Sequence, residues 1–393
     1  MTPINVGPRS PQCVREQEVV LGGHEFRTAP SIVPALVIQA EAAVVGWLLG
    51  SVQLEGGPDQ GAILGWFDRH LASRFVYGEI TGYYLSFLEF VRLEFRGHAE
   101  VKPSLLCSKA THAMQWIRRR WLEHPATRTY LDGQQTRDWR NSLAFSFDQV
   151  MMLRGVYAGS RLVNPALRGS LMADLCQRLS VFIGEDGLLL PCRTTASDPT
   201  PQKWSTRPGP YQLKAAAALL TMVANLPAPL QACSRKTCDR WVMFMPEVIT
   251  TAELHPLLYF VEGLLLAFNA TGEQQFLANA RLVLERILQH LFEGETEIAY
   301  VRSDVIAQTL RLGCLLASTT IFHQQHATQL QELANNLVQM IGADGAVYFR
   351  RDSHGQPEHA NVWSGIFAAQ ALRYYSWRSQ NIPLPSAAVE GLV

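Results

Sequence analysis

The sequence predicts an all-α chain whose alternating inner and outer helices close into an (α/α)6 toroid around one central cavity. Three observations predict it. Helical periodicity recurs along most of the chain, while alternating strand patterns are nearly absent. The helices are of two kinds, one apolar on nearly every side and one with a polar face. A short turn sequence also repeats behind two of the one-faced helices. At 393 residues the length prior allows two or three domains, but toroids and barrels of this size fold as one. The boundaries read as an irregular segment over 1–30, the toroid over 31–380 and a C-terminal tail over 381–393.

In chain order, helices are expected at about 32–53, 60–73, 80–96, 104–122, 146–162, 165–183, 210–225, 228–242, 254–270, 273–292, 303–319, 324–341 and 360–378. Asn164-Pro165 ends one helix and puts proline in the first turn of the next. Pro227-Ala228-Pro229 and Thr271-Gly272-Glu273 punctuate two further boundaries. The runs Ile80–Phe90, Val150–Ala158, Leu257–Phe268, Val305–Leu316 and Val362–Tyr374 are apolar nearly all round, which fits burial on all sides. By contrast, 274–290 carries Arg281, Glu285, Arg286 and Gln289 on one face, and 324–340 carries Gln329, Gln331, Glu332 and Asn335. The repeat pairs Ile183-Gly184-Glu185-Asp186-Gly187 with Ile341-Gly342-Ala343-Asp344-Gly345. In each, an Asp-Gly turn leads into a short β-prone run, Leu188–Leu190 or Ala346–Phe349. Six hairpins close a ring; a tandem-hairpin solenoid is the competing arrangement, and it would keep a stricter period.

Composition narrows the function. Hydrophobic residues make up 48% and charged residues 17%, with 34 basic against 34 acidic side chains, so no global field draws the chain to nucleic acid or anionic lipid. The basic run Arg118-Arg119-Arg120 reads as a solvated helix end. Seven cysteines without paired spacing exclude a disulfide framework, and Cys233 and Cys238 lack the further ligands of a zinc site. No apolar signal core precedes residue 30, and the hydrophobic stretch 32–54 is broken by Pro34, Gln39, Glu41 and Gly46. A buried helix fits that stretch better than a membrane span, and the cytoplasm is the expected compartment.

In a toroid the first turns of the inner helices line one rim of the cavity, where free backbone N–H groups favour oxygen-rich ligands. Polar anchors stand at each such start: Glu79, Asp148, Tyr211, His255, Asp304 and Asn361, spaced by 69, 63, 44, 49 and 57 residues. Each step is about one helical hairpin. Plain N-caps are the competing reading for Asp148 and Asp304, and a satisfied core histidine for His255. Gln308 and Arg311 sit one turn apart in an apolar helix. A buried Arg311 requires a carboxylate partner, with Asp304 or Glu79 the candidates.

The run Tyr77-Gly78-Glu79-Ile80-Thr81-Gly82-Tyr83-Tyr84 resembles the Tyr-Pro-Glu-Val-Thr-Gly-Tyr signature of α/α-toroid proteins from bacterial polysaccharide gene clusters, with Gly78 in place of the proline. Phe147-Asp148-Gln149 with Gly155, His255 with Tyr259, Glu262 and Gly263, and Asp304 with Gln308 and Arg311 extend the likeness over about residues 60–378. The six-hairpin glycosidases, unsaturated glucuronyl hydrolases and N-acylglucosamine 2-epimerases share this architecture. The resemblance implies a carbohydrate-active enzyme.

A glycoside hydrolase needs a protonated carboxyl beside the leaving oxygen and a second carboxylate across the ring. Glu79 is the expected acid, Asp304 or Asp148 the expected base, and His255 a further catalytic candidate. Tyr83, Tyr211, Tyr259, Arg302, Gln308, Arg311, Asn361 and Trp363 are the expected substrate contacts. A sugar epimerase would need two proton-transfer groups flanking one carbon, for which His255 and His359 are available. A binding or assembly protein that keeps the toroid without the chemistry is the third reading. Terpene cyclisation lacks its Asp-rich motif here, and a lanthionine-type cyclase lacks its Cys/His zinc set. With no phosphate-binding glycine loop, neither a cofactor nor a metal is expected. The expected partner is a small molecule or oligosaccharide, and the sequence leaves a homodimer open.

Overall fold

One-sided periodicity makes the outer helices. In Gln274–Glu293 the buried residues Phe276, Ala280, Val283, Leu284, Ile287, Leu288 and Leu291 advance by threes and fours, a single apolar stripe. In Ser303–Leu316, by contrast, every residue is buried, as a helix walled in on all sides requires. A computed structural model of the chain describes residues 34–67, 75–95, 101–123, 125–133, 138–194, 200–294, 298–317, 320–352 and 354–392. The segment expected to be irregular over 1–30 lies outside the described residues.

The helices alternate outer and inner along the chain. The outer set is α1 (Pro34–Ser51), α3 (Pro103–Trp116, continued by a π turn to Trp121), α5 (Pro165–Ser180), α7 (Ala228–Trp241), α9 (Gln274–Glu293) and α11 (Thr320–Gln339). The inner set is α2 (Gly78–Glu94), α4 (Ser146–Ala158), α6 (Gln212–Leu220), α8 (Leu254–Thr271), α10 (Ser303–Leu316) and α12 (Val362–Ser379). Each inner helix packs on the next, α2 on α4, α4 on α6, and onward to α12, which returns to α2 and closes the ring. Every outer helix backs the inner ring, with α1 on α12, α3 on α2, and α9 and α11 each on two inner helices. The chain is therefore an all-α toroid of six hairpins. Close approach within the inner ring depends on glycine: a Cβ on Gly155 of α4 would lie 2.1 Å from the carbonyl oxygen of Gly82 on α2.

Short antiparallel ribbons lead into three inner helices. β2 (Phe75–Tyr77) pairs with β3 (Arg128–Tyr130), placing Tyr77 opposite Arg128 just before α2. β4 (Leu143–Phe145) pairs with β5 (Cys192–Thr194) just before α4. β1 (Trp66–Phe67) pairs with β6 (Ala360–Asn361) just before α12. The sequence repeat forms the same turn twice. Gly187 and Gly345 adopt φ of 74° and 85°, and the Asp186 and Asp344 carboxylates accept from the backbone N–H two residues on. Ile183 then bridges Leu189, and Ile341 bridges Val347.

One expected helix is absent. Residues 62–67 run extended, with Ile63 bridged to Gln53, Leu64 to Val76 and Trp66 paired with Asn361; 68–73 lie outside the described residues. A short apolar run looks the same to helix and strand periodicity, and here the deciding partner lies about 300 residues away. Two stretches, α1 and 251–271, are long and apolar enough to cross a membrane. The second is mostly inner helix α8, and α1 packs on α11 and α12. Beneath the ring, residues 386–392 fold across the far ends of the inner helices. Arg154 donates to the carbonyls of Glu390 and Leu392, Gln370 to Gly391, and the Tyr374 hydroxyl to Ala388.

Candidate active site

The opposite rim carries the first turns of the inner helices, and a cavity of about 420 Å³ opens there. Glu79, Asp148, Tyr211, His255, Tyr259, Arg302 and Trp363 line it, drawn from all six hairpins of the ring. Five other candidates stand behind the wall: Tyr83, Asp304, Gln308, Arg311 and Asn361 are buried and do not line the cavity. The lining residues not singled out from sequence come largely from connections, among them Arg128, Trp139, Arg140, Lys203 and Trp204. No helical period marks a connection, so only their basic and aromatic character was available as a signal.

Glu79 and Asp148 sit in the first turns of neighbouring helices α2 and α4. The helix N-terminus would favour their charged forms, but burial outweighs it. Burial pushes the Glu79 carboxyl up to about 7, against the pull of Lys214, of hydrogen bonds from the Tyr77 and Tyr83 hydroxyls, and of Arg128. Burial and then the Glu79 charge push Asp148 well above the usual carboxylate range, opposed by a hydrogen bond from Tyr77. The Tyr77 hydroxyl has one proton and donates to one of the two carboxyls at a time, and two carboxyls that repel each other beside it retain a proton near neutral pH.

The basic side chains of the rim are held in place. Arg128 stacks over Phe75 at 4.3 Å and Trp66 at 5.0 Å and pairs with Asp138 at 3.3 Å. Arg140 pairs with the other oxygen of Asp138 at 3.2 Å. Burial would raise Asp138, yet the Arg140 backbone N–H, the Tyr130 hydroxyl and the two guanidiniums hold it below the usual range. Arg302 is clamped by Asp304 through two bonds of 3.0 and 2.5 Å. Asp304 is fully buried and also lies 3.3 Å from His255 Nδ1 and 3.4 Å from Trp363 Nε1. It positions three cavity residues without itself facing the cavity. Against the desolvation that would raise it, Arg302 and His255 hold its carboxyl below the usual range.

Arg311 is fully buried, and its carboxylate partner is Glu262, not Asp304 or Glu79. Residues seven apart on a helix are about two turns away, beyond a side chain already committed elsewhere. Glu262, on α8, also pairs with Lys214 at 2.6 Å, and Lys214 reaches the Tyr83 hydroxyl at 3.1 Å. Burial alone would raise Glu262, but Arg311 and Lys214 together draw it down to about 2. This buried charge sets the polarity of a chain of bonds. An ionised carboxylate only accepts, so Gln308 presents its Nε2 to Glu262 at 3.0 Å and its Oε1 to His255 Nδ1 at 2.9 Å. His255 therefore carries its proton on Nδ1 and keeps Nε2 as a free acceptor at the cavity wall. Burial lowers its pKa to about 4, so the ring is neutral at physiological pH. His359 stacks on Phe349 at 5.0 Å and packs on Trp66, outside the cavity lining. Asn361 caps α12, accepting from the Ser364 N–H at 3.0 Å.

This arrangement can transfer protons at one carboxyl pair, hold a ring against aromatic walls and attract negative charge. No protein-family model matches the sequence, and no curated protein matches it. Solved structures do share the fold. An unsaturated glucuronyl hydrolase specific for heparin superposes with a TM-score of 0.57 at 10% identity, over 89% of this chain and 99% of that one. The cellobiose 2-epimerase of Bacillus thermoamylovorans gives 0.62 at 10% identity, over 87% and 100%. A D-mannose isomerase gives 0.61 at 11% identity, over 91% and 100%. The chain thus has the six-hairpin α/α-toroid fold found in these sugar-active enzymes. At such identities the likeness is one of fold.

Proposed function

We propose that the chain is a carbohydrate-active enzyme of the glycoside hydrolase type, with Glu79 and Asp148 as its paired carboxylates and a negatively charged saccharide as its substrate. The observation that carries this reading is the pair itself: two carboxyls with raised pKa, joined through Tyr77, in an aromatic-walled cavity. Tyr77 and Arg128 act on both carboxyls, but the charge of Lys214 and the Tyr83 hydroxyl act on Glu79, so it is the member that ionises more readily. Asp148 then keeps the proton. It protonates the leaving oxygen as the glycosidic C–O bond breaks, while Glu79 takes a proton from the water that adds to the anomeric carbon. Passage of that proton back to Asp148 restores the pair. This order reverses the roles expected from sequence, where Glu79 is the acid.

Arg128, Arg140, Lys203 and Arg302 support a carboxylated or sulfated sugar, since guanidiniums grip such groups in bidentate fashion. The heparin specificity of one protein of this fold is in keeping with that charge. Six free thiols among the described residues suit a reducing, cytoplasmic setting, and the Glu79 sequence motif suits a polysaccharide pathway.

A second reading, sugar epimerisation, is favoured by one observation: His255 is neutral, with Nε2 free to take a proton from carbon-bound hydrogen. Turnover of a panel of uronides and neutral glycosides in D2O separates the two. Hydrolysis releases reducing ends without deuterium at carbon, whereas epimerisation incorporates deuterium at the inverted carbon. Saturable glycan binding with neither outcome would overturn the enzyme reading in favour of a binding protein.

A further inference from the structure

The run Tyr77–Gly82 does more than begin a helix. Tyr77 closes β2 and stands at the N-cap of α2 in extended backbone, yet its side chain makes no cap. Its backbone is held from three sides. It pairs with Arg128 across the ribbon, its N–H donates to the Ile63 carbonyl at 3.2 Å, and its carbonyl accepts from the Thr81 hydroxyl at 2.9 Å. The Thr81 oxygen in turn accepts from the Ile63 N–H at 3.4 Å. Gly82 admits Gly155 of α4, which brings the helix of Asp148 alongside. The phenol of Tyr77 is thus presented to the cavity, which it lines together with Glu79 and Asp148, and its hydroxyl is in hydrogen-bond reach of both carboxyls. Tyr83 differs: it acts on Glu79 and not on Asp148, and its oxygen already accepts from Lys214 at 3.1 Å.

We propose that Tyr77 is a positioning residue for both carboxyls in turn: its one hydroxyl hydrogen goes to whichever of Glu79 and Asp148 is ionised, while its oxygen accepts from the one that keeps the proton. The switch itself is independent of the hydrolase reading, on which only its place in a catalytic cycle rests. A phenol donates once and can also accept, so only the singly ionised pair uses both functions. The hydroxyl therefore favours that state over a pair with two protons or with none. In the resting site the O–H points to ionised Glu79 and the phenol oxygen accepts from Asp148. Once Asp148 has protonated the leaving oxygen and Glu79 has taken a proton from water, the O–H turns to Asp148. The reset is then a paired transfer. The Glu79 O–H bond breaks as its proton joins the phenol oxygen, and the phenol proton passes to Asp148, which leaves Tyr77 neutral. Arg128 of β3, Arg140 in the turn after it and Lys214 of α6 are the cations facing this trio. The Tyr83, Tyr211 and Tyr259 phenols also face it, and burial holds all three protonated. His255, in the same cavity, is neutral above about 4.

The test titrates the carboxyl carbons of the isotope-labelled full chain by NMR, without substrate. In an Asp148→Asn background Glu79 alone of the pair titrates, and in a Glu79→Gln background Asp148 alone. Adding Tyr77→Phe, which removes one oxygen, is expected to raise the midpoint in both backgrounds by about one pH unit, as loss of a hydrogen bond to a charged group does. A rise in one background only means that the hydroxyl serves a single carboxyl and overturns the proposal, as does no rise in either. Fluorotyrosine in place of Tyr77 keeps the shape and donates more strongly. It is expected to lower both midpoints, and unchanged midpoints overturn the proposal even if Tyr77→Phe does not fold. None of these outcomes depends on turnover. If no glycoside is cleaved while both midpoints move, the hydrolase reading fails and the switch stands. If uronides are cleaved, Tyr77→Phe should move the acidic limb of the kcat/KM profile to higher pH. A residue that only supports the fold would lower the rate with the limb in place, so an unmoved limb overturns the role in the cycle. The alkaline limb is not diagnostic, because Lys214, drawn down to about 8 by burial, discharges there.

Discussion

At the scale of single residues, the carboxyl pair makes two opposed demands on the protein. Catalysis by the proposed route requires ionised Glu79 beside protonated Asp148, so turnover should rise as pH passes through about 7 and fall again once Asp148 ionises. Glu79→Gln and Asp148→Asn should each cost ~10²–10⁴-fold in kcat, and the variant that remains measurable should lose one limb of the pH profile. Stability should move the other way. Glu79 has a folded pKa of about 7 against an ordinary value of 4.5, so the folded state holds the proton longer than the unfolded state. Its contribution is present below 4.5 and is lost as pH rises from 4.5 through 7. Glu79→Gln, neutral throughout, should therefore raise the melting temperature at pH 8 and leave it nearly unchanged at pH 4. A capping residue behaves oppositely, losing about 1 kcal/mol with activity preserved. Melting curves and turnover on the same preparations decide between them.

At the scale of elements, the inner helices bring their first turns together because nothing larger than a hydrogen atom separates α2 from α4 at Gly82 and Gly155. Gly155→Ala forces a Cβ to 2.1 Å from a backbone oxygen that cannot rotate aside. The helices must part, at a loss of ~1–3 kcal/mol. The same displacement should separate Glu79 from Asp148, so urea unfolding should report lower stability and turnover at permissive temperature should fall as well. Unchanged activity in a folded Gly155→Ala would mean that this spacing does not set the geometry of the pair. Arg128, in β3, and Arg140, in the turn after it, depend on a different element, the β3 segment and its neighbour Asp138, which accepts from both guanidiniums. Their positions follow from pairing of β3 with β2, a contact across about 50 residues of chain.

At the scale of the whole molecule, the axis of the ring is polar. Glu262 of α8 binds Lys214 of α6 and Arg311 and Gln308 of α10; Arg311 reaches Gln370 of α12, and Lys214 reaches Tyr83 of α2. Arg154 of α4 feels the charge of Glu262 and is tied to the C-terminal segment. Every inner helix thus contributes to one buried network centred on a single carboxylate. Glu262→Gln keeps the shape but removes the carboxylate charge that Lys214 and Arg311 share, and should destabilise the ring by ~3–5 kcal/mol in denaturant unfolding. The ionised Asp304 carboxylate, 3.3 Å from His255 Nδ1, should still hold the imidazole proton there, so ring-nitrogen NMR shifts are expected to stay unchanged. Deletion of residues 385–393 removes the acceptors of Arg154, Gln370 and Tyr374 together. It should lower the melting temperature without altering the carboxyl pair at the opposite rim.

What the sequence determined by itself was the alternation of all-round and one-faced helices, and with it the ring. Burial on every side leaves a signature in each local stretch, as α10 and α9 illustrate. It also pointed to one rim for the first turns of the inner helices; of the anchors expected there, Glu79, Asp148, Tyr211 and His255 line the cavity, while Asp304 and Asn361 stand behind its wall. Tertiary structure alone decided which of these polar residues face the cavity and which hold others in place. Asp304 and Arg302 are two residues apart, yet one is sealed and the other lines the wall. It also decided the partner of Arg311, the extended course of 62–67 and the basic residues of the connections. Each of these depends on contacts between segments remote in sequence, and neither periodicity nor spacing along one stretch records what lies across a ring.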